Sequence, residues 1–207
     1  MSDAVQLNDR DFVVVIDSSG SMVTGDQKGG RTRWEAAAES TIALTGKAAK
    51  YDPDGLSLYT FAGNHRRFDN VSTSAKASQV FEEVEPNGST NLDGVLNAVF
   101  SDYQTRKKDG KTKPNGEILV VITDGEPDDR KAAKAAIVSH SKTLDKDEEY
   151  GILFVQVGND ARAKAFLKEL DDDLMNQGAK FDIVDTISMD EVGSRTLTEV
   201  LAGAIAD

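Results

Sequence analysis

"DFVVVIDSSGSM", residues 11–22, sets the first strand and raises the question of function. Phe12–Ile16 is an unbroken apolar run rich in β-branched residues, the pattern of a strand buried on both faces. It runs straight into Asp17, then into small hydroxyl residues around Gly20. An acid that closes a fully buried strand needs a compensating partner, because burying an unpaired charge is costly.

Working outward, strand-like and helix-like periods alternate along the chain. Trp34, Ala37, Ala38, Ile42 and Ala48 recur at helical spacing. Residues 55–63 read as a second strand and 66–71 as a short edge strand, followed by a weak helix over 75–84. Leu92, Val95, Leu96, Val99, Phe100 and Tyr103 form a helix stripe. "EILVVIT" (117–123) is another buried strand. Ala133, Ile137 and Leu144 mark a helix. A strand over 151–158, a helix over 161–170 and a strand over 181–186 follow. Val192, Leu197, Val200, Leu201 and Ile205 line a closing helix. The rhythm predicts one domain over 1–207 of class α/β: a doubly wound, mostly parallel sheet with helices on both faces and a short antiparallel edge strand.

Composition narrows the function classes. With 24 Lys+Arg against 36 Asp+Glu the net charge is −12, which disfavours nucleic acid and anionic membranes as partners. The absence of cysteine excludes disulfides, zinc thiolates and thiol nucleophiles. "MSDAVQLNDRD" has no basic-then-apolar leader. No apolar run approaches the ~18–20 residues that span a bilayer. The expectation is a cytoplasmic protein.

In a doubly wound sheet, ligands bind beyond the carboxyl ends of the strands. That rule collects three loops on one side: 17–33, 84–91 and 124–129. They offer Asp17-Ser18-Ser19-Gly20-Ser21, Gly88-Ser89-Thr90-Asn91 and Thr123-Asp124-Gly125. All the donors are hard oxygens, suited to Mg²⁺ or Ca²⁺. Each residue also has a plainer reading. Ser19 and Ser21 fit a turn or helix cap, Thr90 with Asp93 fits a capping box, and Asp124 before Gly125 fits a turn.

Asp-x-Ser-x-Ser at 17–21, Thr90 in "GSTNLDGVL" and Asp124 in "ITDGEPDD" resemble the metal-ion-dependent adhesion site of von Willebrand factor type A domains. The resemblance implies Asp17, Ser19, Ser21, Thr90 and Asp124 as direct or water-mediated ligands of a divalent metal, Mg²⁺ foremost, with Ca²⁺ or Mn²⁺ as alternatives. It implies a protein partner that supplies a carboxylate to the open coordination position. By family analogy it also implies an intracellular assembly, with an AAA+ ATPase among the partners.

The competing reading is a metal-dependent phosphohydrolase or phosphotransfer protein of similar topology. Such phosphatases need a second Asp two residues after the first, where this chain has Ser19. No phosphate-binding glycine loop and no G-x-S-x-G frame is present. The expectation is a binding module that is not an enzyme.

Loop 23–33 carries Lys28, Arg31 and Arg33 beside the site, as a solvated or partner-selecting segment. Asp26 is an additional metal contact in principle. Glu126, Asp128 and Asp129 favour a helix N-terminus through the dipole. The basic loop 106–113 and the acidic stretch 145–151 read as solvated, and His65 and His140 as surface residues. Trp34 reads as a core anchor.

Overall fold

The computed structural model describes residues 7–205 apart from residue 49, and the side chain of residue 197 is also outside the description. The ends of the expected 1–207 span, and the place of the Leu197 side chain in the closing helix stripe, therefore lie outside the described residues.

Six strands form one sheet in the order β3-β2-β1-β4-β5-β6. They are β1 Asp11–Asp17, β2 Leu56–Phe61, β3 His65–Val71, β4 Glu117–Thr123, β5 Tyr150–Gln156 and β6 Val184–Ser188. All neighbours pair in parallel except β2 and β3, an antiparallel pair that makes β3 the edge. Seven helices accompany them among the described residues: α1 Arg33–Ala48, α2 Ser74–Glu83, α3 Leu92–Lys108, α4 Arg130–Ser141, α5 Ala161–Asp172, α6 Met189–Val192 and α7 Leu197–Gly203. None of the described helices is long and apolar enough to cross a membrane.

The apolar run of β1 follows from its place at the centre. Side chains alternate across a strand. Val14 and Ile16 join one core, with Trp34, Ala37 and Leu44 of α1 and with Leu201 of α7. Val13 and Val15 join the other, with Val95, Leu96 and Val99 of α3 and Ile137 of α4. A strand covered on both faces has no polar side to show, so no alternation appears in its sequence. Trp34 anchors α1 as expected, its ring 4.7 Å from that of Phe81.

Three boundaries differ from the sequence reading. The last strand begins at Val184 rather than at 181, because its ladder with β5 starts where Val184 comes level with Ile152. The single closing helix is two. Ser188 with Glu191, and Thr196 with Glu199, each form a capping box, so a second N-terminus opens at Leu197. An apolar stripe at helical spacing does not register such a restart. Leu144, though buried, lies beyond the end of α4 at Ser141.

The largest departures concern charged residues placed at the surface. His140 is buried, 3% exposed. Its ring stacks on Phe100 at 4.0 Å and meets Tyr150 edge-on at 4.3 Å. Neither ring nitrogen has a hydrogen-bond partner among the described residues. The basic end of α3 is not simply solvated either. Arg106 pairs with Asp11, Asp102 and the fully buried Glu117, and Lys113 pairs with Asp52 at 2.7 Å. In the acidic stretch, Glu149 is buried and accepts from the Tyr103 hydroxyl at 2.7 Å. His65, by contrast, is exposed at the start of β3.

Candidate metal centre

The strand order reverses its progression between β1 and β4, leaving a crevice beyond their carboxyl ends. Ile16 is level with Ile122, so Asp17 ends β1 beside Thr123, and Asp124 follows one residue on. The ladder itself delivers both acids to one place. Both are almost wholly buried, at 0% and 1% exposure.

Hydrogen bonds join four of the five expected ligands into a chain. Asp17 Oδ1 accepts from the Ser19 backbone N–H at 2.8 Å, and Asp17 Oδ2 accepts from the Thr123 hydroxyl at 2.8 Å. The Ser19 and Ser21 hydroxyl oxygens lie 3.1 Å apart. The Ser21 hydroxyl donates to Asp124 Oδ1 at 2.8 Å. Burial pushes the Asp17 carboxyl up to about 6; the hydrogen bonds from Ser19 and Thr123 oppose the rise, while the nearby Asp124 adds to it.

Thr90 is held to Asp128 through its backbone. Its N–H donates to Asp128 Oδ1 at 3.1 Å, and its carbonyl accepts from the Asp128 N–H at 2.9 Å. The loop before it is stitched to the Asp17 loop: Gly20 N–H donates to the Gly88 carbonyl at 3.1 Å and Asn87 N–H to the Ser18 carbonyl at 2.8 Å. The two strand-end loops and the loop between α2 and α3 thus form one rim. The Thr90 hydroxyl makes no hydrogen bond to the described residues and does not join the chain of four.

Of the plainer readings, the side-chain caps at Thr90 and Ser19 fall away, while the turn stands: Met22 N–H donates to the Ser19 carbonyl at 3.1 Å and Thr24 N–H to the Ser21 carbonyl at 3.0 Å. Asn91, not Thr90, caps α3, its side chain accepting from the Gly94 N–H at 3.0 Å. Ser19 precedes the short 3-10 turn Gly20–Val23, yet its side chain does not cap it. The acids after Asp124 divide their work. Asp129 caps α4 by accepting from the Ala132 N–H, Asp128 holds Thr90, and Glu126 pairs with Arg130.

Sequence reasoning missed Arg33 as a member of the site. Its guanidinium donates to Asp124 Oδ2 at 2.9 Å and grips Asp26 through Nε and a terminal nitrogen, the shortest contact being 2.6 Å. Asp26 therefore holds Arg33 instead of facing the four-residue cluster. The Asp26 contact is the chief cause that holds the Arg33 guanidinium firmly protonated. One signal was available: Arg33 is the first residue of α1 and ends the loop that leaves the Asp-x-Ser-x-Ser turn.

The donor set has the chemistry of a hard divalent cation site. Two carboxylates balance the ion's charge, and neutral hydroxyls supply further oxygens. Among the described residues no three His, Asp or Glu side chains converge into a cluster, so the hydroxyls are a necessary part of any such set. Asp124 turns Oδ1 toward Ser21 and Oδ2 toward Arg33, which leaves the Oδ1 edge on the hydroxyl side.

A profile of the von Willebrand factor type A domain matches residues 12–126, more than half of the chain, from Phe12 in β1 past Asp124. The chain belongs to the von Willebrand factor type A domain family. Solved structures carry the type A fold across nearly all of it. An aerotolerance-related membrane protein from Bacteroides fragilis is 18% identical, with a TM-score of 0.64 over 95% of this chain and 98% of its own. Manganese-loaded TRAP protein from Plasmodium vivax is 13% identical, with a TM-score of 0.59 over 91% of this chain and 72% of its own. The pilus adhesin SpaC from Lactobacillus rhamnosus GG is 13% identical, with a TM-score of 0.61 over 96% of this chain and 30% of its own. At these identities the likeness is one of fold. No curated protein matches this type A domain in sequence.

Proposed function

We propose that this type A domain is a protein-binding module that works through a divalent metal, Mg²⁺ foremost, held by Asp17, Ser19, Ser21, Asp124 and Thr90. The observation that carries the reading is the hydrogen-bonded chain Asp17–Ser19–Ser21–Asp124, with both carboxylates buried at adjoining strand ends. A bound ion would supply a Lewis-acidic coordination position to a partner's carboxylate. The manganese-loaded TRAP structure, a relative in fold, supports a metal in this reading, and the pilus adhesin supports a binding role.

The chain's own residues set the terms of that binding. Ser21 is exposed and Thr90 half-buried, so the open side of the site faces solvent between their loops. Arg33 puts one positive charge against Asp124, where a divalent ion would be repelled by it. Arg33→Gln should therefore tighten Mg²⁺ binding, by roughly several-fold given screening at a partly exposed position. Isothermal titration of both proteins measures this, and a weaker Mg²⁺ affinity in Arg33→Gln would show that Arg33 orders the ligands instead.

Partner binding should need the metal and involve no turnover. Immobilised wild-type protein should retain a partner in Mg²⁺ and release it in EDTA, and Asp17→Ala should retain none in either. Retention that ignores both EDTA and Asp17→Ala would defeat the reading. So would Mg²⁺-dependent phosphate release from a pool of phosphomonoesters that is lost on Asp17→Asn, since that would make the same carboxylate a catalytic group. Within this reading the domain acts in the cytoplasm as part of a protein assembly, an AAA+ ATPase being the partner class that family analogy offers.

A further inference from the structure

A groove of about 570 Å³ runs along α1, between the loop that leaves the Asp17 turn and the segment around α6. Its charge is out of character for the chain. Lys28, Arg31, Lys47 and Arg195 line it against only two carboxylates, Glu39 and Asp190, in a protein of net charge −12. Arg31 is paired with Glu39. Lys28, Lys47 and Arg195 are exposed, and none of their side chains donates a hydrogen bond to a described residue. Arg195 is flanked by Glu191 and Glu199, whose carboxyls lie below their ordinary range chiefly through bonds to their own capping residues. The apolar part of the lining is Ala36 and Ala43 of α1 with Met189 and Val192 of α6, small on the α1 side. The Ser40 hydroxyl ties the two sides together at Met189 Sδ, 2.9 Å away.

The groove is linked to the metal centre through the loop that leaves the Asp17 turn. Gln27, Lys28 and Arg31 form its upper wall, and the same loop carries Asp26, which grips Arg33 and through it Asp124. From Ala36 to Lys47 the helix rises about 16 Å at ~1.5 Å per residue. That is the length of about five residues of extended chain at ~3.3 Å each.

We propose that this groove takes an acidic segment of the protein partner, about five or six residues in extended form, leading away from the carboxylate that meets the metal. The proposal rests on the metal-dependent reading above and adds the partner's chemistry to it. Charge complementarity selects the occupant: a lining of four cations against two carboxylates, on an otherwise acidic domain, attracts carboxylates and repels basic segments. The small residues on the α1 side leave room for a backbone to lie close.

The test uses fluorescein-labelled hexaglutamate, titrated by anisotropy against the full chain at 50 and 200 mM NaCl, with Mg²⁺ and with EDTA. Wild type should bind, more weakly in EDTA and at higher salt. The double variant Lys47→Glu/Arg195→Glu should lose about tenfold or more and flatten the salt dependence, because two attractive charges become repulsive. The double variant Lys108→Glu/Lys111→Glu, at the basic end of α3, should bind like wild type. Equal affinity in the groove variant and wild type, or loss in the α3 variant instead, would overturn the proposal. Binding that EDTA leaves unchanged but the groove variant loses would uphold the groove and defeat the metal-linked reading. Binding lost in EDTA but indifferent to the groove variant would do the reverse. Tighter binding of hexathymidylate than of hexaglutamate, lost in the same groove variant, would overturn the acidic-protein assignment.

Discussion

Saturating Mg²⁺ should raise the unfolding free energy of the wild-type domain, and Asp17→Ala should abolish the rise. An ion that binds only the folded arrangement stabilises it by RT ln(1 + [L]/Kd), about 2.7 kcal/mol at a hundredfold excess over Kd. Asp124 has Arg33 as its cation, while Asp17 has only neutral donors and feels the negative charge of Asp124. A divalent ion removes that repulsion. The baseline shifts as well. Removing Asp17 leaves the Thr123 hydroxyl and the Ser19 N–H without their buried acceptor, a loss of about 1–3 kcal/mol for each group left unpaired. The quantity to compare is therefore the metal-induced increment in urea unfolding, not the absolute stability. Asp17→Asn retains an acceptor oxygen but loses the charge, and should also lose most of the increment. Thr90→Ala should keep more of it, since a neutral hydroxyl contributes less than a carboxylate. An equal increment in wild type and Asp17→Ala would place the ion elsewhere.

The second large effect is far from the metal. His140 should make the domain acid-labile. Burial holds its imidazole well below its ordinary value, down to about 3; Glu149 opposes this weakly and Lys107 reinforces it. The folded state therefore keeps a neutral ring where the unfolded chain takes up a proton. For a base depressed in the fold, stability is fully present above the unfolded value near 6.5 and is lost as pH falls toward about 3. The slope is about 1.4 kcal/mol per pH unit, so the whole window corresponds to roughly 4–5 kcal/mol. Glu117 works in the opposite sense. Burial raises its carboxyl to about 7, with Arg106 opposing, so its contribution to stability grows as pH falls from 7 toward its ordinary range. The difference between wild type and His140→Phe isolates the histidine. That variant keeps an aromatic ring against Phe100 and Tyr150 and removes two unpartnered nitrogens. Its unfolding free energy should match or exceed wild type at pH 7 and fall less steeply between pH 6 and 4. Parallel pH profiles for the two proteins would show that His140 is not the acid-labile group.

The contrast between these two sites explains what the sequence made legible. Asp17 and Asp124 stood out because each interrupts an apolar run, and strand-end geometry then placed them together without any knowledge of side-chain packing. The doubly wound class followed from the same runs, since unbroken apolar stretches such as "FVVVI" and "ILVVI" alternating with helical periods are the pattern of strands covered on both faces. His140 was invisible for the opposite reason. A lone histidine in a helix says nothing about the aromatic rings that enclose it, which come from α3 and β5. Arg33 was likewise noticed only as a loop cation. Its role depends on a contact 91 residues away in sequence, with Asp124. The network of Arg106, Asp11 and Glu117 was hidden the same way: its members sit in one basic stretch and two strand starts, and only the ladder brings them together. Local pattern fixes elements and strand ends; long-range pairing of charges is decided by register and topology.

Crystals of the domain grown or soaked in Mn²⁺, measured at the manganese absorption edge, should show one anomalous peak in the crevice between Asp17 and Asp124, within about 2.0–2.6 Å of the Ser19 and Ser21 hydroxyl oxygens. The peak should vanish in Asp17→Ala. A peak at the Glu126–Asp129 cluster instead, or a peak in the crevice that survives Asp17→Ala at full height, would contradict a metal held by these residues.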